Sequence, residues 1–219
     1  MRVALFLLLV VSIPAAGTED DWAERLDEDG IRVLARPVSG SKYQEFKATV
    51  ELEATTAHVV ALLQDNSACA RWVFRCVGST NIEQLSNTER YFHQVTDLPF
   101  PARSRDAVFH ARIYYTPDGS ITIELQSTPN KLSQTKHVRI IETYGHYLLQ
   151  PLDKGRVLLT WQLYVDPAGV LPAWLVNSML TDMPYKSLMV FKELVREAPY
   201  RNAIFKYDDA GTPIDILFN

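Results

Sequence analysis

The chain has 219 residues, with 22 lysines and arginines against 26 aspartates and glutamates, so its formal net charge is −4. No block of basic residues occurs, and we therefore expect no nucleic-acid partner. The five histidines and two cysteines show no metal-ligand spacing, and no nucleophile elbow, phosphate loop or dinucleotide motif is found. We expect no metal, no cofactor and no catalytic residue.

The first 17 residues have the order of a secretory signal peptide. Met1-Arg2 precedes an apolar run from Val3 to Ile13, which is followed by small residues that end at Gly17. The apolar run is shorter than the roughly 20 residues that a transmembrane helix needs. We expect cleavage in the small-residue stretch and export, to the periplasm in preference to the extracellular space. Residues 18–199 then form one domain, and residues 200–219 a C-terminal tail.

The next elements are short. Trp22 and Leu26, four residues apart in an acidic stretch, predict one or two helical turns that end at Gly30. Strands are predicted at 31–36 and 44–52, the second with strict alternation of apolar and polar residues. A helix capped by Thr55 or Thr56 follows and extends to about Asp65.

Cys69 and Cys76 are the two cysteines, and export would place them in an oxidising compartment. On one unbroken helix they would lie about 10 Å apart, too far for a disulfide. A bridge therefore requires the helix to end between them. The alternative is a pair of small buried thiols.

From Val77 to Asp166 the chain is predicted to be rich in β-strands. Pro117-Asp118-Gly119 has the residues of a tight turn, so the flanking strands should form a hairpin. On the last strand, Trp161 shares one face with other apolar residues. The predicted strands lie at 77–83, 89–96, 106–115, 120–127, 138–142, 145–151 and 157–166.

The longest predicted helix runs from Leu171 to about Glu197, with Pro172 in its first turn and a kink expected at Pro184. Its apolar stripe includes Leu171, Trp174, Leu175, Met179, Leu188 and Phe191. The order of elements indicates an α+β fold in which this helix covers the concave face of a curved antiparallel sheet. A helix that does not fill the concavity leaves an apolar cavity beneath it.

Three segments resemble the START (steroidogenic acute regulatory protein-related lipid-transfer) domain family. Pro99-Phe100-Pro101, followed by Arg105-Asp106, looks like the aromatic-proline turn and Arg-Asp pair that open a central strand of the family. Asp166 to Asn177 is similar to the family's Asp-Pro-x-Gly and Pro-x-Trp-x-x-Asn segment before and within the C-terminal helix. Trp72 matches a tryptophan that follows a helix end. These segments lie in the family's order between about residues 20 and 197.

The resemblance implies a helix-grip fold, in which the sheet wraps around the C-terminal helix and an internal tunnel holds one lipid or similar molecule. It also implies a lid that opens at a membrane surface, and we expect transient membrane contact and a monomer. The residues assigned to the ligand and lid are Leu171, Trp174, Leu175, Met179, Leu188, Phe191 and Trp161. The residues assigned to motif or structural roles are Trp72, Pro99, Pro101, Arg105, Asp106, Pro172 and Asn177.

The chain departs from the sterol-binding members in one position. Their tunnel contains a basic residue six positions after the motif arginine, and this chain has Ala111 there. Arg112 is adjacent, but it belongs to the opposite face of the strand. Arg105 has two possible roles, as an anchor for a ligand head group or as a structural residue, and the second is the more common.

Two other functions remain open. The wider helix-grip superfamily includes cyclases and hydrolases, and in such an enzyme His93, His110 or Glu124 would point into the cavity with a shifted pKa. Alternatively, an exported accessory protein would bind another protein through its apolar end, Ile214 to Phe218. Deletion of this end would distinguish them, because a carrier should keep its ligand binding and a partner-binding module should lose its complex.

Overall fold

The computed structural model describes residues 21–171 and 173–218, without the side chains of residues 173, 174 and 177. The predicted signal peptide and Pro172 therefore lie outside the described residues. Among the residues described, no helix is long and apolar enough to cross a membrane.

The main feature is one large curved antiparallel sheet of nine strands in the order β1-β2-β3-β10-β9-β7-β6-β5-β4, with a short tenth strand, β8, beside β6. The predicted α+β helix-grip fold is confirmed. The strands are β1 (Ala23–Glu28), β2 (Ile31–Pro37), β3 (Gln44–Leu52), β4 (Cys76–Ser86), β5 (Glu89–Thr96), β6 (Arg105–Tyr115), β7 (Ile121–Ser127), β8 (Val138–Arg139), β9 (Glu142–Leu152) and β10 (Arg156–Asp166).

The prediction of a short helix before Gly30 was wrong. Residues 23–28 form β1, which pairs with β2 so that Glu28 lies opposite Ile31. Asp29 and Gly30 form the two-residue turn between them, and both have positive φ angles, 54° and 74°. Asp-Gly is a favoured sequence for such a turn, and this local signal overrides the four-residue spacing of Trp22 and Leu26.

In the described part of the chain, three α-helices accompany the sheet: α1 (Thr56–Gln64), α2 (Cys69–Trp72) and α3 (Ala173–Leu194). Thr55 caps α1, and its hydroxyl accepts a hydrogen bond from the backbone N–H of His58. The long helix α3 contains Pro184 and packs on β2, β3 and α2. It ends three residues earlier than the apolar pattern predicts.

The chain turns sharply between α2 and β4, and there it forms the disulfide Cys69–Cys76, with Cα atoms 5.9 Å apart. The helix ends at Trp72, the N–H of Val73 caps the carbonyl of Cys69, and Arg75 takes a positive φ of 63°. This turn brings together two residues that one continuous helix would hold apart.

Two features differ from a simple antiparallel meander. β8 is only two residues long and pairs in parallel with the start of β6, where Arg105 lies opposite Val138. After α3, residues 203–207 and 213–218 form a separate hairpin, β11 (Ala203–Tyr207) and β12 (Pro213–Phe218). Ala203 is buried, and Phe205 meets Tyr115 edge-on at 5.9 Å, so this part of the C-terminal tail packs against the domain.

Candidate functional site

The interior between the concave face of the sheet, α1 and α2 contains a hollow of about 70 Å³, which we call the main cavity. Its wall comes from β4, β5, β6, β7, β9 and β10 and from the α1–α2 region. Small or apolar side chains such as Ala111, Ile123 and Leu125 occupy the middle of the wall. Because successive residues of a strand alternate in direction, each strand contributes every second side chain.

One end of the main cavity is polar, and Arg90 on β5 is its cation. The guanidinium donates hydrogen bonds to the carbonyls of Leu63 and Gln64, at the end of α1, where the helix dipole favours a positive charge. Burial lowers the pKa of Arg90 to about 10, and the negative charge of Asp65 opposes this effect. Arg90 is therefore cationic at neutral pH.

Asp65 lines the same end of the cavity. Its carboxylate accepts hydrogen bonds from the backbone N–H and hydroxyl of Ser67 and from the hydroxyl of Tyr200. Burial acts to raise the pKa of Asp65, but these hydrogen bonds outweigh it and hold the pKa below its usual value. The carboxylate is thus ionised and already bonded.

The other end of the main cavity is aromatic, and Trp161 on β10 is its centre. The ring of Trp161 lies 5.1 Å from Phe46, 5.3 Å from Tyr147 and 6.1 Å from Trp72 between centroids. The residue is 3% exposed, yet its Nε1 has no hydrogen-bond partner in the part of the chain that the structure describes. Burial also raises the pKa of Tyr147 well above its usual value.

A second, smaller hollow of about 30 Å³ lies beneath the first half of α3. Val176, Met179, Leu180 and Met183 form its roof, and Leu163 on β10 belongs to the walls of both hollows. Methionine side chains are flexible and adapt to gaps of irregular shape. The roof is therefore built from side chains that can rearrange.

The two halves of α3 differ in how firmly they are held. After Pro184, the side chains of Leu188 and Phe191 are fully buried, and the hydroxyl of Ser187 accepts a hydrogen bond from the N–H of Phe74. Before Pro184, Leu175 is buried, but residues 178–183 are only half-buried. Among the side chains that the structure describes, the second half therefore contributes more fully buried residues to the core than the first half does.

The motif residues Arg105 and Asp106 do not bond to each other. The guanidinium of Arg105 donates to the carbonyls of Pro167 and Ala168, each at 3.1 Å, which joins the start of β6 to the loop before α3. The carboxylate of Asp106 instead accepts two hydrogen bonds from the guanidinium of Arg139, at 3.0 and 2.9 Å. Arg105 thus has structural partners and is absent from both cavity walls.

The other predicted site residues lie in the two hollows, in the packed core and in loops. Trp72 and Trp161 line the main cavity and Met179 the smaller one, whereas Leu188 and Phe191 belong to the packed core. Pro99 and Pro101 lie in the loop between β5 and β6, and Leu171 is half-buried in the loop two residues before α3. The side chains of Trp174 and Asn177, like Pro172, lie outside the described residues.

The three residues singled out for an enzyme lie away from the main cavity. His93 Nε2 is 2.9 Å from Asp106 and His110 Nε2 is 2.6 Å from Glu89, while Glu124 is exposed. Within residues 21–171 and 173–218, no group of three or more His, Cys, Asp or Glu side chains is placed to hold a metal ion. Arg90, Asp65 and Tyr147 are among the cavity residues that sequence reasoning did not single out.

Residues 8–196 match the START domain family. The chain belongs to the START domain family. An uncharacterized protein of Pseudomonas aeruginosa is 28% identical to this START chain over 189 residues, which are 86% of the chain and 93% of that protein. The family match ends at residue 196, so the β11–β12 hairpin lies outside it.

Solved structures show the same fold. A STAR-related lipid transfer protein from Xanthomonas axonopodis is 32% identical, with a TM-score of 0.75, over 81% of this START chain and 100% of that one. Human STARD10 is 20% identical, with a TM-score of 0.72, over 83% of this chain and 76% of that one. The curved sheet and its covering helix are therefore the START architecture.

Proposed function

We propose that this START domain encloses one lipid or other hydrophobic molecule between its sheet and α3 and carries it through water, without catalysing a reaction. The main support is the largely apolar main cavity, which shares Leu163 with the smaller hollow beneath the first half of α3. At about 0.8 kcal/mol for each methylene, exposing a chain of roughly sixteen carbons to water costs about 13 kcal/mol. Enclosing the chain in a protein interior avoids this exposure and makes transfer of the lipid through water possible.

Binding requires the cavity to expand. Its volume of about 70 Å³ is well below the roughly 300–1,000 Å³ that ligand pockets occupy. We propose that the first half of α3 moves outward about Pro184, which lacks the N–H for one helical hydrogen bond. Met179 and Met183 then repack around the ligand, and the two hollows on either side of Leu163 join.

Two exposed apolar side chains support membrane contact by the same region. Phe100, in the β5–β6 loop, is 95% exposed, and Val170, in the loop before α3, is 97% exposed. The guanidinium of Arg105 links the two loops, because it donates hydrogen bonds to the carbonyl of Arg103 in the first and to those of Pro167 and Ala168 in the second. We propose that both side chains enter the membrane surface when the domain takes up or releases its ligand.

We also propose export to the periplasm as a monomer. The Cys69–Cys76 disulfide supports an oxidising compartment, because such bonds persist there. Cell fractionation, mass spectrometry of the mature N-terminus and size-exclusion chromatography test these points. A cytoplasmic protein that keeps residues 1–17 would contradict the proposal of export.

Lipid extraction from the native protein, followed by mass spectrometry, tests the carrier function. Ala111→Phe places a ring in the main cavity, and we expect it to weaken binding of fluorescent lipids by about tenfold or more. Arg112→Phe, on the outer face of the same strand, is the matched control and should bind as the wild type does. Circular dichroism shows whether both variants fold. Absence of any extracted apolar ligand, together with no binding of fluorescent lipids, would refute the function.

A further inference from the structure

The main cavity contains a hydrogen-bond donor that the protein leaves unused. Trp161 Nε1–H is buried and has no acceptor among the described residues, although the ring lies on the cavity wall. An indole can only donate, and a buried donor without a partner costs about 1–3 kcal/mol. An acceptor atom supplied by a ligand would remove this cost.

Arg90 supplies further donors at the other end of the same cavity. A guanidinium has five N–H groups, and the backbone carbonyls of Leu63 and Gln64 use two of them. Its ring contact is with Phe92, whose centroid lies 5.3 Å away. Over the described ranges of the chain, no carboxylate lies within the 4.0 Å of an ion pair with Arg90.

The acceptor oxygens of Asp65 and Asn66 on the wall, by contrast, are already bonded. Both carboxylate oxygens of Asp65 receive protein donors, from Ser67 and Tyr200. The side-chain oxygen of Asn66 lies 3.4 Å from the hydroxyl of Ser79, which donates to it. Gln94 offers a donor and an acceptor and does not change the balance. The unused hydrogen-bonding capacity of these polar residues is therefore mainly that of donors.

We propose that the ligand is an amphiphile whose head group accepts hydrogen bonds and carries negative charge, a carboxylate or a phosphate ester, and that Arg90 and Trp161 select it. This inference rests on the proposed function and names the class of ligand. Arg90 contributes charge-assisted hydrogen bonds to the acidic oxygens. Trp161, from the aromatic end, bonds an acceptor oxygen that reaches it. A head group that only donates, such as an ammonium, gains neither interaction.

Palmitate and hexadecylamine test this selection because they share one chain and differ in the head group. Each competes with a fluorescent lipid for the full-length mature protein, and hexadecanol provides the neutral reference. We expect the wild type to bind palmitate at least about tenfold more tightly than hexadecylamine. Acetate, which has the acid but not the chain, should not compete, and competition by acetate would indicate a site for small anions and overturn the proposal.

The variants Trp161→Phe and Arg90→Gln should each reduce the ratio of the palmitate and hexadecylamine affinities by about threefold or more. The ratio of the two affinities is the quantity to compare, because a general loss of packing weakens the binding of both ligands alike. Arg112→Gln removes a neighbouring surface cation and should keep the wild-type ratio. Equal binding of the two ligands by the wild type, or an unchanged ratio in both cavity variants, overturns the inference while leaving the carrier function intact. Failure of the fluorescent lipid itself to bind overturns both.

Discussion

The ring of Trp72 meets the ring of Phe191 edge-on, with centroids 4.8 Å apart, and so joins the disulfide-closed turn to the anchored half of α3. Phe191 is fully buried, and its removal would leave a void between these elements. We expect Phe191→Ala to lower the free energy of unfolding by about 3–5 kcal/mol, as measured by urea denaturation. Val190→Ala, at an exposed neighbouring position, is the control. Equal losses in the two variants would contradict this account.

The Cys69–Cys76 bridge closes a short loop, with a sequence separation of seven. A loop of this size restricts the unfolded chain enough to stabilise the fold by about 2 kcal/mol. We expect the double variant Cys69→Ala/Cys76→Ala to lose that amount in chemical denaturation. A reductant should destabilise the wild type similarly and have no effect on the variant. A wild-type transition that is insensitive to reductant would argue against a formed bridge.

Gly145 lies in the middle of the sheet, between Leu125 on β7 and Leu163 on β10. A Cβ there would overlap the carbonyl oxygen of Gln162 and lie 2.8 Å from the Cα of Leu163. Because these neighbours are backbone atoms, the strands themselves would have to move. We expect Gly145→Ala to destabilise the domain by about 2–3 kcal/mol in thermal or urea unfolding.

Gly78 provides the matched control for Gly145, because a Cβ added there meets no atom within 4 Å. We expect Gly78→Ala to change the free energy of unfolding by less than about 0.5 kcal/mol. If the two alanine variants were equally stable, close approach of β9 and β10 at Gly145 would be disproved.

The buried carboxylate of Asp106 makes the stability of the domain depend on acid. Burial acts to raise its pKa, but hydrogen bonds from Arg139, His93 and Thr135 outweigh it and lower the pKa from 3.8 to about 2. The folded state thus binds this proton less readily than the unfolded state. The stabilisation is complete above pH 3.8 and is lost as the pH falls toward 2.

This linkage predicts a loss of about 2 kcal/mol in the free energy of unfolding across that interval, over and above the losses due to other groups. The Asp106→Asn variant should be less stable at neutral pH, because Arg139 loses its buried partner, and its stability should fall less steeply in acid. Urea denaturation between pH 4 and pH 2 measures both slopes. Parallel slopes for the two proteins would rule out this role for Asp106.

The exposed side chains of Phe100 and Val170 should matter for membranes rather than for ligand affinity. We expect the double variant Phe100→Ser/Val170→Ser to slow transfer of a fluorescent lipid between vesicles by about tenfold, with its equilibrium affinity for the lipid unchanged. Leu85→Ser, which removes an exposed leucine near the opposite end of β5, is the control and should transfer at the wild-type rate. Equal slowing by Leu85→Ser would show that the effect is not specific to the two loops.

Strong local patterns made much of the fold predictable. The alternation of apolar and polar residues predicted β3 and β10, and turn residues predicted the β6–β7 hairpin. The helical spacing of apolar residues predicted α3. The prediction for the acidic stretch before Gly30 was wrong because most residues of β1 are exposed, so the strand shows no apolar alternation. The β11–β12 hairpin was not predicted, because its inward face depends on contact with α1 and Tyr115.

The candidate site was less predictable than the fold. Trp72 and Trp161 were found because motif order and strand alternation place them on the inner side. Arg90 was not, because its position depends on the register of β5, which sets it opposite Ala111 on β6. The basic side chain missing from position 111 therefore has a counterpart on the neighbouring strand. The volume of the hollow depends on side chains from six strands, and no local sequence pattern shows how these side chains pack together.

The turn between β1 and β2 also holds the second half of α3, since Tyr185 and Lys192 both donate hydrogen bonds to Asp29. If the first half of α3 moves about Pro184 as proposed, the eleven residues before the proline form a lever about 16 Å long. A rotation of about 20° at the proline would move the tip by about 6 Å, roughly one helical pitch. A modest change of angle at one proline thus suffices to open a gap as wide as a hydrocarbon chain, while the rest of the domain stays in place.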